Sequence, residues 1–172
     1  MDHNVKIVFT ASHTPGGKII RWLTKSDKSH VFAQYTSSLW GGEWAAEAMV
    51  KGVVKRPAEK ARHHVVKEYQ CLFDPKPGFH AIRRYFGESF AFEGVLIAGW
   101  LILVWRLFKK KVKSPIHSVK SQFCSELIAR FFDASPELPK PMTNKHKGKW
   151  NFDIVSPEDI DEFCAADLKH FR

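Results

Sequence analysis

Cysteine is scarce in this chain: Cys71, Cys124 and Cys164 lie far apart and are odd in number. That excludes the disulfide framework of a small secreted domain and makes a reducing compartment the simpler expectation. There is no CxxC pair and no HExxH, and the histidines and cysteines lack ligand spacing, so no metal or other cofactor is expected. Long apolar runs are missing too. VLIAGWLILVW, residues 95–105, is a run of eleven uncharged residues, where a spanning helix needs about 20. It is expected as a helix buried in the core, with the KKKVK that follows leaving an interfacial anchor as the lesser alternative. The opening MDHNVKIVFTAS has neither the basic start nor the longer apolar stretch of a secretory signal, so the protein is expected to be cytoplasmic as made. Action at a membrane surface or cell wall would then need another delivery route. No internal repeat or low-complexity segment is present.

Acid is also in short supply. Eighteen Asp and Glu stand against 27 Lys and Arg, a net charge of +9. Such an excess concentrates anionic partners such as nucleic acid, lipid head groups or acidic wall polymers. Without an aromatic-basic ribonucleoprotein motif, zinc finger or basic zipper, nucleic acid ranks last among them. Nothing in the sequence speaks to oligomeric state.

What is present suits one domain spanning residues 1–172, since apolar residues make up 44% and aromatics 13% of the chain. KIVFTA reads as a strand, and GGKIIRWLTKS places Ile19, Ile20, Trp22 and Leu23 at helical spacing. SHVFAQYTSSLW is a second strand, and after the Gly41-Gly42 turn EWAAEAMVKGVVKRP is expected to run extended and pair back on it. HHVVKEYQCLF is a further β-type run. DPKPG then breaks the chain ahead of a helix over FHAIRRYFG. The segment from Cys124 reads as a helix ending at Ser135-Pro136, and SPEDIDEF offers a serine cap, a proline at the first helical position and acids in the first turn. Strands early and helices late make an α+β domain.

Within that plan Cys124 has a particular place. It precedes SELIARFF, where Leu127, Ile128, Phe131 and Phe132 recur at helical intervals, so its sulfur sits among the unpaired N–H groups of a helix start. A thiolate is the reactive form of cysteine, and a helix N-terminus with a nearby imidazolium lowers the thiol pKa. Nine histidines could serve as the base. His3 and His170 lie near the termini, and the adjacent His63 and His64 would point to opposite faces of a strand. His30 opens a strand, a fixed position from which a ring can face a cleft. An acid must orient that ring, and Glu43 and Glu47 share one face of the following strand by the period-two rule. Cys71 and Cys164 read as small core residues. The aromatic set Trp40, Trp44, Trp100 and Trp105 reads mainly as core, with the lining of a cleft as the alternative.

Taken together, Ser29-His30, Glu47-Ala48 with Gly52-Val53, and Cys124-Ser125-Glu126-Leu127 resemble the circularly permuted NlpC/P60 (papain-like) cysteine peptidase superfamily, in particular its YiiX-like and lecithin:retinol-acyltransferase-like branch. The closing Ser156-Pro157-Glu158-Asp159-Ile160 is similar as well, so the likeness spans residues 5–162. Asn4-Val5-Lys6 stands where the family has glycine-aspartate, and Gly87-Glu88-Ser89-Phe90 matches its glycine-x-tyrosine-aspartate segment only loosely. The resemblance implies an antiparallel, small barrel-like sheet packed against helices. It also implies a triad of Cys124, His30 and, in preference to Glu43, Glu47. The reaction implied is acyl transfer, with the Cys124 backbone N–H in the oxyanion hole and Gln122 as a further donor. Hydrolysis of a cell-wall-type peptide amide is the expected activity. The alternatives are a lipid acyltransferase or esterase of the same fold, acting on an acyl lipid, and a non-catalytic basic binding module.

Overall fold

A computed structural model describes residues 4–14, 17–18, 21–22, 26–49, 52–87, 124–141, 148–150, 152 and 155–172. The apolar stretch 95–105 and Gln122 lie outside the described residues. Five strands, β1 (Val5–Thr10), β2 (His30–Thr36), β3 (Glu43–Met49), β4 (Gly52–Pro57) and β5 (Val65–Gln70), form an antiparallel sheet in the order β4-β3-β2-β1-β5. Among the described residues three α-helices are delimited: α1 (Lys76–Arg83), α2 (Cys124–Asp133) and α3 (Pro157–Ala166). The protein is thus α+β, as the order of elements implied. Among the described residues no helix is long and apolar enough to cross a membrane.

Both faces of the sheet are covered, which is why the central strands carry so few polar residues. Val5, Ile7 and Phe9 of β1 alternate onto the helix-covered face, where Val31 and Ala33 of β2 and Ala46 and Ala48 of β3 join them. Alanines at 33, 46 and 48 are short, so α2 can lie close across β2 and β3. Its Leu127, Ile128, Phe131 and Phe132 are all buried there. An aromatic cluster extends this core: Phe131 and Phe132 meet Phe73 at 6.1 and 6.4 Å between ring centroids, and Phe132 meets Phe171 at 5.3 Å. On the opposite face Val8, Phe32 and Ala45 pack under Ala61, just beyond the 3-10 turn Ala58–Lys60.

Several local readings are corrected. EWAAEAMVKGVVKRP is not one extended segment: Met49 pairs with Gly52, so β3 and β4 form their own antiparallel pair. Gly52 takes φ +114°, a conformation L side chains rarely adopt. Helix α1 starts at Lys76, inside the DPKPG breaker, because Pro77 falls in its first turn, where no intrahelical N–H bond is lost. Gly78 is the point where α1 touches α2; a Cβ there would lie 2.5 Å from the Phe131 ring. His63 and His64 occupy the turn ahead of β5 rather than a strand, His64 with φ 55°. Trp40 is neither core nor cleft lining: it is 54% exposed on the turn between β2 and β3, with its ring centroid 5.1 Å from that of Trp44.

Candidate active site

Three elements deliver three side chains to one place. His30 is the first residue of β2 and is half-buried, its partner across the ladder being Thr10 at the end of β1. Glu47 lies well inside β3, 1% exposed, yet carries an ionisable carboxyl. A buried carboxylate is tolerated only when paired and hydrogen-bonded, and this one is: the His30 Nε2–H donates to its Oε2 at 2.9 Å, while the Arg56 Nε–H of β4 donates to its Oε1. Cys124 is the first residue of α2, and its sulfur lies close enough to the His30 ring for each to shift the other's titration.

The electrostatics follow from this packing. Burial works against a charged imidazole, but the Cys124 sulfur and the Glu47 carboxylate outweigh it and push the His30 pKa up to about 10. Burial would likewise raise the Cys124 thiol. The imidazolium, together with hydrogen bonds from the backbone N–H groups of Val31 and Ser125, wins and holds it below the ordinary thiol value. Desolvation of Glu47 is overcome by His30 and Arg56, so its pKa is lowered. Both shifts favour the thiolate–imidazolium form of the pair.

Glu43, the other acid on that face, sits at the far end of β3 opposite Thr36, exposed and away from His30. Arg56 is the residue sequence reasoning missed. The register pairs Ala45 with Arg56 and Glu47 with Val54, which puts Arg56 diagonal to Glu47 on the same face; recognising that β3 and β4 pair with each other would have revealed it. Cys71 and Cys164 are buried, and desolvation raises both thiols. No group of three or more histidine, cysteine, aspartate or glutamate side chains among the described residues is placed to hold a metal ion.

No family model matches the chain, and no curated protein sequence matches it. A solved structure does. The fold is that of yiiX from Escherichia coli O157:H7. This metalloprotein, a DUF1105 member, superposes with a TM-score of 0.59 over 94% of this chain and 92% of its own, at 17% identity. The relationship to yiiX is distant and structural: the two share how a sheet and helices are arranged, over nearly their whole lengths.

Proposed function

We propose that this protein is a thiol hydrolase of the permuted NlpC/P60 type, cleaving an amide bond through Cys124, His30 and Glu47. The observation that carries the reading is the juxtaposition of a helix-start cysteine with an imidazole whose far nitrogen is held by a buried carboxylate. In the forward step the Cys124 thiolate adds to the carbonyl carbon, and the negative charge moves to the carbonyl oxygen beside the Cys124 backbone N–H. The C–N bond then breaks as His30 gives its proton to the departing amine. Water attacks the resulting thioester, passing a proton to His30, and the C–S bond breaks to release the acid and restore the ion pair. Glu47 never takes the proton. It keeps the ring oriented and charged, and Arg56 keeps Glu47 ionised.

The name of the structural neighbour raises metal chemistry. Here the convergent donors are one sulfur and one ring nitrogen, and both oxygens of Glu47 are already engaged by His30 and Arg56. This donor set does not fit a metal site, and no step is routed through one.

A cell-wall-type peptide is the proposed substrate, with the +9 charge drawing the protein to an anionic wall or membrane surface. Thiol chemistry tests the proposal without knowledge of the substrate. At pH 6 iodoacetamide should label Cys124 much faster than Cys71 or Cys164, and His30→Ala should slow it. Equal rates at the three cysteines would return the protein to the class of binding modules.

A further inference from the structure

Two residues before His30, Lys28 is only 7% exposed although it carries a charge. Burying an ammonium is costly unless several partners compensate. Its Nζ lies 2.7 Å from Asp27 Oδ1 in the same loop, 3.3 Å from Glu158 Oε2 and 3.1 Å from Asp161 Oδ2. Glu158 and Asp161 are one turn apart on α3. Asp161 is fixed from β5 as well, accepting a hydrogen bond from the Tyr69 hydroxyl at 2.7 Å and pairing with Lys67 at 3.0 Å. Ser26 adds a second tie, donating its hydroxyl to Glu158 and accepting from the Lys28 backbone N–H at 3.0 Å. Between Lys28 and His30, Ser29 donates its N–H to the Thr10 carbonyl at 3.0 Å and its hydroxyl accepts from the Ser12 N–H at 2.7 Å.

The same helix also holds the cysteine. Ser125, next to Cys124, donates its buried hydroxyl to the Val155 carbonyl at 2.7 Å. Val155 directly precedes the α3 cap, where the Ser156 hydroxyl accepts from the Asp159 N–H and the Asp159 carboxylate accepts from the Ser156 N–H at 2.8 Å. One helix start is thus bonded to the residue after the sulfur and to the loop before the imidazole.

We propose that the N-terminal half of α3 is a clamp that sets the separation of Cys124 and His30, with Ser26, Lys28 and Asp161 acting as positioning residues. The inference rests on the reading of Cys124 and His30 as the reacting pair. Its physical basis is that the mutual stabilisation of a thiolate and an imidazolium weakens as they separate, and that misplacement by about 1 Å can cost a reacting pair about 100-fold.

The test is the pH midpoint of iodoacetamide alkylation at Cys124, read by mass spectrometry of its peptide. Wild type is compared with Ser26→Ala and with the double variant Lys28→Met/Asp161→Asn. Neither variant changes the net charge, so a loss of long-range attraction does not mimic a loss of position. In the wild type the midpoint should fall below the ordinary thiol value of 9.0. In the double variant it should rise by about one unit, seen as roughly tenfold slower labelling at pH 6; Ser26→Ala should slow labelling about threefold. Variants that are folded by circular dichroism and keep the wild-type midpoint overturn the clamp and leave the ion pair standing. An ordinary midpoint in the wild type overturns both. If the double variant does not fold, Ser26→Ala, which leaves no buried charge unpaired, decides the question.

Discussion

Replacing Glu47 by Gln preserves volume and removes one charge, and the geometry makes the consequence calculable. Both neighbours of the carboxylate are donors, His30 Nε2–H and Arg56 Nε–H. A glutamine has one oxygen and one NH2 group, so it can satisfy only one of them and turns a donor toward the other. If the oxygen stays with His30, the charged ring still donates to it, but its partner is a neutral amide, and the attraction between two full charges at close range, about 1–4 kcal/mol between a water-like and a protein-surface dielectric, is lost. A loss near 1.4 kcal/mol is about one pKa unit, so the His30 value, now about 10, should come down by about that much. If instead the NH2 group faces His30, the ring must accept at Nε2 and carry its proton on the side of the sulfur, a neutral tautomer that no longer stabilises a thiolate. Both arrangements bring the loss of imidazolium to lower pH, so the window in which thiolate and imidazolium coexist narrows from its upper side. The assay is the alkylation rate of Cys124 against pH, with the His30 ring titration followed by NMR. The alkaline end of the profile, where the ring loses its proton, should move down by about one pH unit. A folded Glu47→Gln protein with an unchanged His30 titration would refute the argument that this carboxylate holds the ring charged.

Further outcomes follow from the same contacts. Cys124→Ala should abolish turnover and any covalent adduct formed with an activated ester or amide, as intact-mass measurement would show; an adduct that persists places the chemistry elsewhere. Turnover should rise with pH as Cys124 ionises, below the ordinary value of 9.0, and fall as His30 loses its proton near pH 10; a single rise at the ordinary thiol pKa would mean no ion pair. The carboxyls of Glu47 and Asp161 both have lowered pKa values, so the stability they contribute is complete above their ordinary values of 4.5 and 3.8 and is lost as pH falls through the lower folded ones. Asp161→Asn should accordingly flatten the acid limb of a urea-midpoint-against-pH curve, and a curve parallel to the wild type would contradict this. Gly78→Ala gains helix propensity of about 1 kcal/mol, but its methyl would meet the Phe131 ring at 2.5 Å. Overpacking of about 1–3 kcal/mol or more should leave it less stable than wild type by urea unfolding, whereas a rise in midpoint would show that α1 can move off α2.

The sequence by itself determined the parts whose causes are local. The period of Leu127, Ile128, Phe131 and Phe132 marks a helix, and its first residue is necessarily the one among unpaired N–H groups, so Cys124 was legible. The opening of β2 at His30 and the capped start of α3 were legible for the same reason: alternation, a serine cap and a proline at the first helical position act within a few residues. Choosing Glu47 over Glu43 was different. Both lie on one face of β3, and period two cannot say which end of that strand faces the histidine; the register with β2 and the reversal into β4 decide it. Arg56 was invisible because the sequence between β3 and β4, Val50-Lys51, carries no Asn-Gly or Asp-Gly signal, so its place beside Glu47 exists only once β3 and β4 pair. The ionic ties of Lys28 to α3 connect residues about 130 positions apart. No local pattern encodes such a contact; it is fixed when α3 packs down, and only tertiary structure, by excluding water from Lys28 and Asp161, turns ordinary surface residue types into a brace.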